Sequence, residues 1–113
     1  MNANKQRQVN FQKFLLKTLL ENAAPGTDLK FRERQFYQVR SVEEEALKLA
    51  GGVKARDLSI GDTAIWGGNL YRKLNIKKYP EFVLVNGPSK PVSMDGNTLM
   101  LPATEERAAE ILG

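Results

Sequence analysis

The stretch TAIWGGNLYRKL, residues 63–74, sets a Gly-Gly-Asn break between two short runs rich in strand-forming residues. Residues 63–66 and 70–74 read as strands. Gly67, Gly68 and Asn69 tolerate the positive φ that a tight hairpin demands, so the two strands pair antiparallel. Toward the C-terminus the same grammar repeats. Residues 82–85, 92–94 and 98–101 are short strand-like runs, separated by Asn86-Gly87-Pro88 and Asp95-Gly96-Asn97. Short strands broken by glycine, asparagine and proline predict a small antiparallel sheet or partly open barrel. The first and last of these breaks read as hairpin connections.

The flanks of this region read as helix. Residues 8–22 repeat Val9, Phe11, Phe14, Leu15, Leu16, Leu19 and Leu20 mostly at spacings of three and four, with Lys13, Lys17 and Glu21 between them. That is an amphipathic helix, stopped by Pro25 and Gly26. At the other end, Thr104 precedes Glu105 and Glu106 and then Ala108, Ile111 and Leu112, which predicts a short terminal helix with a threonine cap. Ser41 and Glu44 have the spacing of a capping box, so a further helix is expected from Ser41, ended by Gly51-Gly52.

Residues 28–40, DLKFRERQFYQVR, are mixed. Phe31, Phe36, Tyr37 and Val39 favour a strand, which is expected over the second half of the segment. Leu29, Phe36 and Val39 fall equally well on one side of a helix, so period alone does not separate the two readings. With the strand reading, the fold is α+β: an N-terminal amphipathic helix, a strand, a short capped helix, then the sheet and a C-terminal helix.

The chain has 113 residues, of which 42% are hydrophobic and 27% charged, a composition suited to one globular domain. No apolar run approaches the roughly 18 residues that span a bilayer. Lys13 and Lys17 interrupt the first apolar segment, and no small-residue cleavage site follows it, so a cytoplasmic protein is expected. There is no cysteine and no histidine. Disulfides, thiolate metal sites, cysteine nucleophiles and Ser-His-Asp catalysis are thereby excluded. Asp57 and Asp62 are the nearest carboxylate pair outside helix caps. They suit a metal or shared acid-base chemistry, but Ser59-Ile60-Gly61-Asp62 reads equally as a polar turn entering a strand. The expectation is a protein that is not an enzyme and takes no metal or cofactor.

Net charge is +4, and its distribution points to two constellations. In an extended chain Lys30, Arg32, Arg34, Phe36, Gln38 and Arg40 project from one face, a basic stripe with an aromatic embedded in it. Guanidinium groups clamp phosphates and Phe36 or Tyr37 can stack an unpaired base. The plainer account is a solvated face neutralised by Glu33 and Glu43 to Glu45. The second constellation interleaves aromatic and basic residues: Trp66, Asn69, Tyr71, Arg72, Lys73, Lys77, Lys78 and Tyr79. Its plainer account makes Trp66 a core anchor of the sheet and Lys77 and Lys78 ordinary surface charge. Together these residues predict nucleic-acid binding with little sequence discrimination. The alternative is a protein-binding module, an inhibitor or assembly factor, that recognises an acidic partner surface. The first helix carries more phenylalanine and leucine than a lone helix on a small sheet uses. It is first of all a fully buried core helix, with a homodimer seam or a partner-docking surface as the alternative.

Overall fold

A computed structural model describes residues 3–85, 87 and 90–113. Of the Asn86-Gly87-Pro88 turn, Asn86 and Pro88 lie outside the described residues. Among the described residues there are four α-helices and six strands: α1 (Ala3–Glu21), α2 (Leu29–Gln38), α3 (Arg40–Leu49), β1 (Val53–Lys54), β2 (Thr63–Trp66), β3 (Asn69–Lys73), β4 (Glu81–Leu84), β5 (Val92–Ser93), β6 (Leu99–Pro102) and α4 (Glu105–Leu112). The strands form one open antiparallel sheet in the order β1-β6-β2-β3-β4-β5. The α+β architecture expected from the sequence is the one observed.

The period-2 rule of strands builds two apolar clusters from one sheet. In β2, Ile65 faces the helices while its neighbour Ala64 faces the opposite side; in β6, Leu101 and Met100 divide in the same way. On the helical side, Ile65 and Leu101 meet Phe11, Leu15 and Leu19 of α1, Phe36 of α2, Val42, Ala46 and Leu47 of α3, and Ile111 of α4. On the other face of the sheet, Ala64 and Met100 pack with Ala55, Leu58, Tyr71, Phe82 and Met94.

The β2–β3 hairpin forms where it was expected, but its turn is the two glycines alone, Gly67 and Gly68 at φ 59° and 87°, and Asn69 belongs to β3, opposite Trp66. Gly68 also touches α1: a Cβ there would stand 2.7 Å from the Arg7 carbonyl carbon, and Arg7 Nε donates to the Gly68 carbonyl at 3.2 Å. The glycine pair after α3 closes it with two bonds, Gly51 N–H to the Lys48 carbonyl and Gly52 N–H to the Leu47 carbonyl. Thr104 caps α4 by accepting from the Arg107 N–H.

Three sequence readings need correction. Residues 29–38 are helix, not strand: Asp28 caps α2 by accepting from the Phe31 N–H, and Phe36 enters the core. The run of Lys, Arg, Glu and Gln around it favours helix wherever packing permits. α3 therefore starts at Arg40, one residue after α2, with extended Val39 at its N-cap and no side-chain cap bond, so Ser41 and Glu44 form no capping box. The Asp95-Gly96-Asn97 turn joins strands that do not pair: β5 lies on β4, whereas β6 lies between β1 and β2. It is held instead by the start of the 3-10 turn at Ala55–Asp57, through Ala55 N–H to the Thr98 carbonyl and Arg56 N–H to the Gly96 carbonyl. Of the two readings of α1, the core helix is the one its packing shows, with Phe11, Leu15 and Leu19 buried. α1 packs on α2, α3, α4 and β3, and none of its residues is among the exposed large hydrophobics.

Candidate ligand-binding surfaces

The extended basic stripe does not exist, because a helix turns its side chains by about 100° per residue and disperses them. Phe36 is buried. Arg32 turns inward, where it donates to Gln35 and forms an ion pair with Glu45. Arg40 belongs to α3 and lies 3.9 Å from Glu44. The helix brings a different subset together. Lys30, Arg34 and Tyr37 stand four and three residues apart on the face of α2 opposite Arg32 and Phe36, and all three are exposed. Phe31, 52% exposed, lies beside them with the Arg34 guanidinium 5.9 Å from its ring centre. Tyr37 is 57% exposed and stands edge-on to Phe36. Among the described residues no ion pair holds Lys30 or Arg34.

The second constellation divides as well. Lys73, expected on the surface, is buried at the far end of β3. Its ammonium donates to the carbonyls of Ala55 at 2.8 Å, Arg56 at 3.2 Å and Leu58 at 2.6 Å. Those bonds occupy the whole donor capacity of the group, so Lys73 ties the 3-10 turn to the sheet and is withheld from any ligand. Arg72 points outward and is exposed. Lys77 and Lys78 sit in the β3–β4 loop, whose shape is set by Asn75: its amide donates to Glu81, and its oxygen accepts from the Lys77 and Glu81 N–H groups. Lys77 reaches back to Glu81 at 3.0 Å. The donors from Lys77 and Asn75 hold the Glu81 carboxyl below its usual range. Lys78 lies 5.7 Å from the centre of the Tyr79 ring. Tyr71 is buried on the face of the sheet opposite the helices.

Trp66 is not a core anchor. It is 42% exposed at the end of β2, its ring 6.4 Å from that of Tyr71. Two adjoining concavities share it, together with Asp95 and Thr98. One, about 520 Å3, runs between α3 and the β1–β6 edge; the other, about 270 Å3, opens over Tyr71 where β5 and β6 fail to pair. Asp95, Thr98 and Lys54 were not singled out from the sequence. The residues that could have pointed to them, the Asp95-Gly96-Asn97 break beside a tryptophan, lie some thirty positions apart in the chain.

The carboxylates at 57 and 62 form no pair. Asp62 accepts from the Ser59 N–H at 2.8 Å and closes a turn, while Asp57 lies 4.0 Å from Arg56. Among the described residues no group of three or more carboxylates is placed to hold a metal ion, and no helix is long and apolar enough to cross a membrane.

By its fold the chain belongs to the α+β class, helices laid on one face of an open antiparallel sheet. No known protein family, curated protein or solved structure matches it.

Proposed function

We propose that this is a small basic binding protein that engages nucleic acid, with little sequence discrimination, through the outward face of α2. The reading rests on one observation: Lys30 and Arg34 share that face without an ion pair, flanked by exposed Phe31 and Tyr37. Two cations a helical turn apart suit successive phosphates, and rings beside them offer stacking surface to unpaired bases. Arg72 on the sheet and Lys78 in the β3–β4 loop are exposed and add long-range attraction, in keeping with the net charge of +4.

Fluorescence anisotropy with labelled single- and double-stranded oligonucleotides, from low to physiological salt, tests the proposal. The expected result is binding that weakens steeply with salt. In the double variant Lys30→Ala/Arg34→Ala the logarithmic salt slope should fall by roughly two, about one per lost phosphate contact. Absence of binding by the wild-type protein at low salt ends the reading.

A second reading draws on Phe31 and Tyr37 themselves, which are 52% and 57% exposed beside Lys30 and Arg34. Exposed rings beside two cations that no ion pair holds have the composition of a contact with an acidic protein surface. A partner retained after nuclease treatment and released by Phe31→Ala favours this reading over the first.

A further inference from the structure

The cavity under Trp66 has a chemistry unlike that of α2. It is lined by Trp66 and Tyr71, whose rings stand 6.4 Å apart, with Met94, Asp95 and Thr98, and no cationic side chain lines it. One oxygen of Asp95 accepts from the Asn97 N–H at 2.8 Å. Among the described residues no lysine or arginine pairs with that carboxylate. An exposed indole face beside an unneutralised carboxylate attracts organic cations and repels phosphate.

Two neighbouring features say what carries the cation. The adjoining cavity holds both signs of charge, Arg40, Lys48 and Lys54 against Glu43 and Glu44, so it matches a chain of mixed side chains better than a polyanion or a lone amine. Val92 and Ser93, which line the smaller cavity, belong to the edge strand β5, which among the described residues pairs with β4 alone. Such an edge can accept an extended backbone alongside it.

We propose that this trough is a peptide site, separate from the α2 face: an arginine or lysine side chain of a partner segment enters between Trp66 and Asp95, and the flanking residues lie along α3. Trp66 is the sole tryptophan of the chain, so its emission reports directly on occupancy.

The test is selection of twelve-residue random peptides displayed on phage against the intact protein, followed by titration of synthetic copies with tryptophan emission as readout. Selected peptides should carry an arginine or lysine and shift Trp66 emission saturably. Replacing that residue by glutamine should weaken binding at least tenfold. Asp95→Asn, which retains an acceptor for the turn, should weaken it by about tenfold, whereas Lys30→Ala/Arg34→Ala should leave it unchanged. The proposal fails if selection yields no binder, if binders lack a basic residue, or if Asp95→Asn binds as the wild type does. It fails equally if spermidine shifts the emission as strongly as the peptides, which makes the ligand a free amine. A saturable emission shift with an oligonucleotide, undiminished in Lys30→Ala/Arg34→Ala, assigns the trough to nucleic acid and overturns it too.

Discussion

The hairpin at β2 and β3 and the helix α2 are similar in length and both mix aromatic with basic residues, yet only the hairpin could be read without ambiguity. In the hairpin, the local chemistry permits one answer. Two consecutive glycines at φ 59° and 87° make the turn, and apolar alternation then sends Ala64 and Tyr71 to one side and Ile65 to the other. In α2 the aromatic residues propose a strand and the charged ones a helix. The choice falls to long-range contacts: Phe36 entering a core supplied by α1, α3 and α4, and Arg32 reaching Glu45 thirteen residues on. Where a turn fixes the register, sequence suffices; where burial of one side chain tips the balance, it does not.

The largest effect that would sharpen this contrast is expected from Phe36→Ala. Phe36 anchors α2, and its removal should cost about 3–5 kcal/mol, measured by urea denaturation, with loss of helical circular dichroism. A loss below about 1 kcal/mol would show that α2 is held by its polar contacts instead. Next comes Lys73→Met at the end of the hairpin. It leaves the Ala55, Arg56 and Leu58 carbonyls without the ammonium, and a loss of about 3 kcal/mol is expected. A neutral outcome would mean that the carbonyls find other donors and that the 3-10 turn does not depend on Lys73.

Asp28→Ala removes the N-cap of α2 and should cost about 1 kcal/mol, whereas Asp28→Asn, which retains an acceptor, should cost less. Equal costs would put the effect on charge and not on the cap. The smallest effect concerns acid. The Glu81 carboxyl has its folded pKa below the ordinary value, so its bracing of the β3–β4 loop is present above the unfolded pKa and is lost as pH falls through the folded one. In an NMR titration the Asn75 side-chain amide and Lys77 signals should move together with Glu81 in that acidic window. In Glu81→Gln that shared movement should be absent.

The same contrast runs through the candidate sites. Phe36 and Lys73 look like contact residues on the page of the sequence, one inside an arginine run and the other inside an aromatic-basic run; both are core. Charge patterning cannot reveal that a lysine will find three backbone carbonyls. Those acceptors come from a turn fifteen to eighteen residues away, and their orientation exists only once β3 has paired. Lys30, Arg34 and Tyr37 were named individually, but their common face follows from a helical period that the segment does not declare by itself. Asp95 and Thr98 become neighbours of Trp66 only because β6 inserts beside β2 and pulls the preceding turn across the mouth of the sheet.

What the amino-acid sequence determined unaided is the set of features governed by neighbours along the chain. These are the helical period of α1, the threonine cap of α4, the glycine closure of α3, the placing of a hairpin at the Gly67-Gly68 break, and the exclusion of cysteine and histidine chemistry. Tertiary structure alone decided the conformation of residues 29–38, the burial of Lys73, the crossing of the chain from β5 to β6 and hence the trough at Trp66. The physical reason is reach. Turns, caps and period act within a few residues, whereas burial and the satisfaction of buried polar groups are settled by partners that only the folded chain brings within hydrogen-bonding distance.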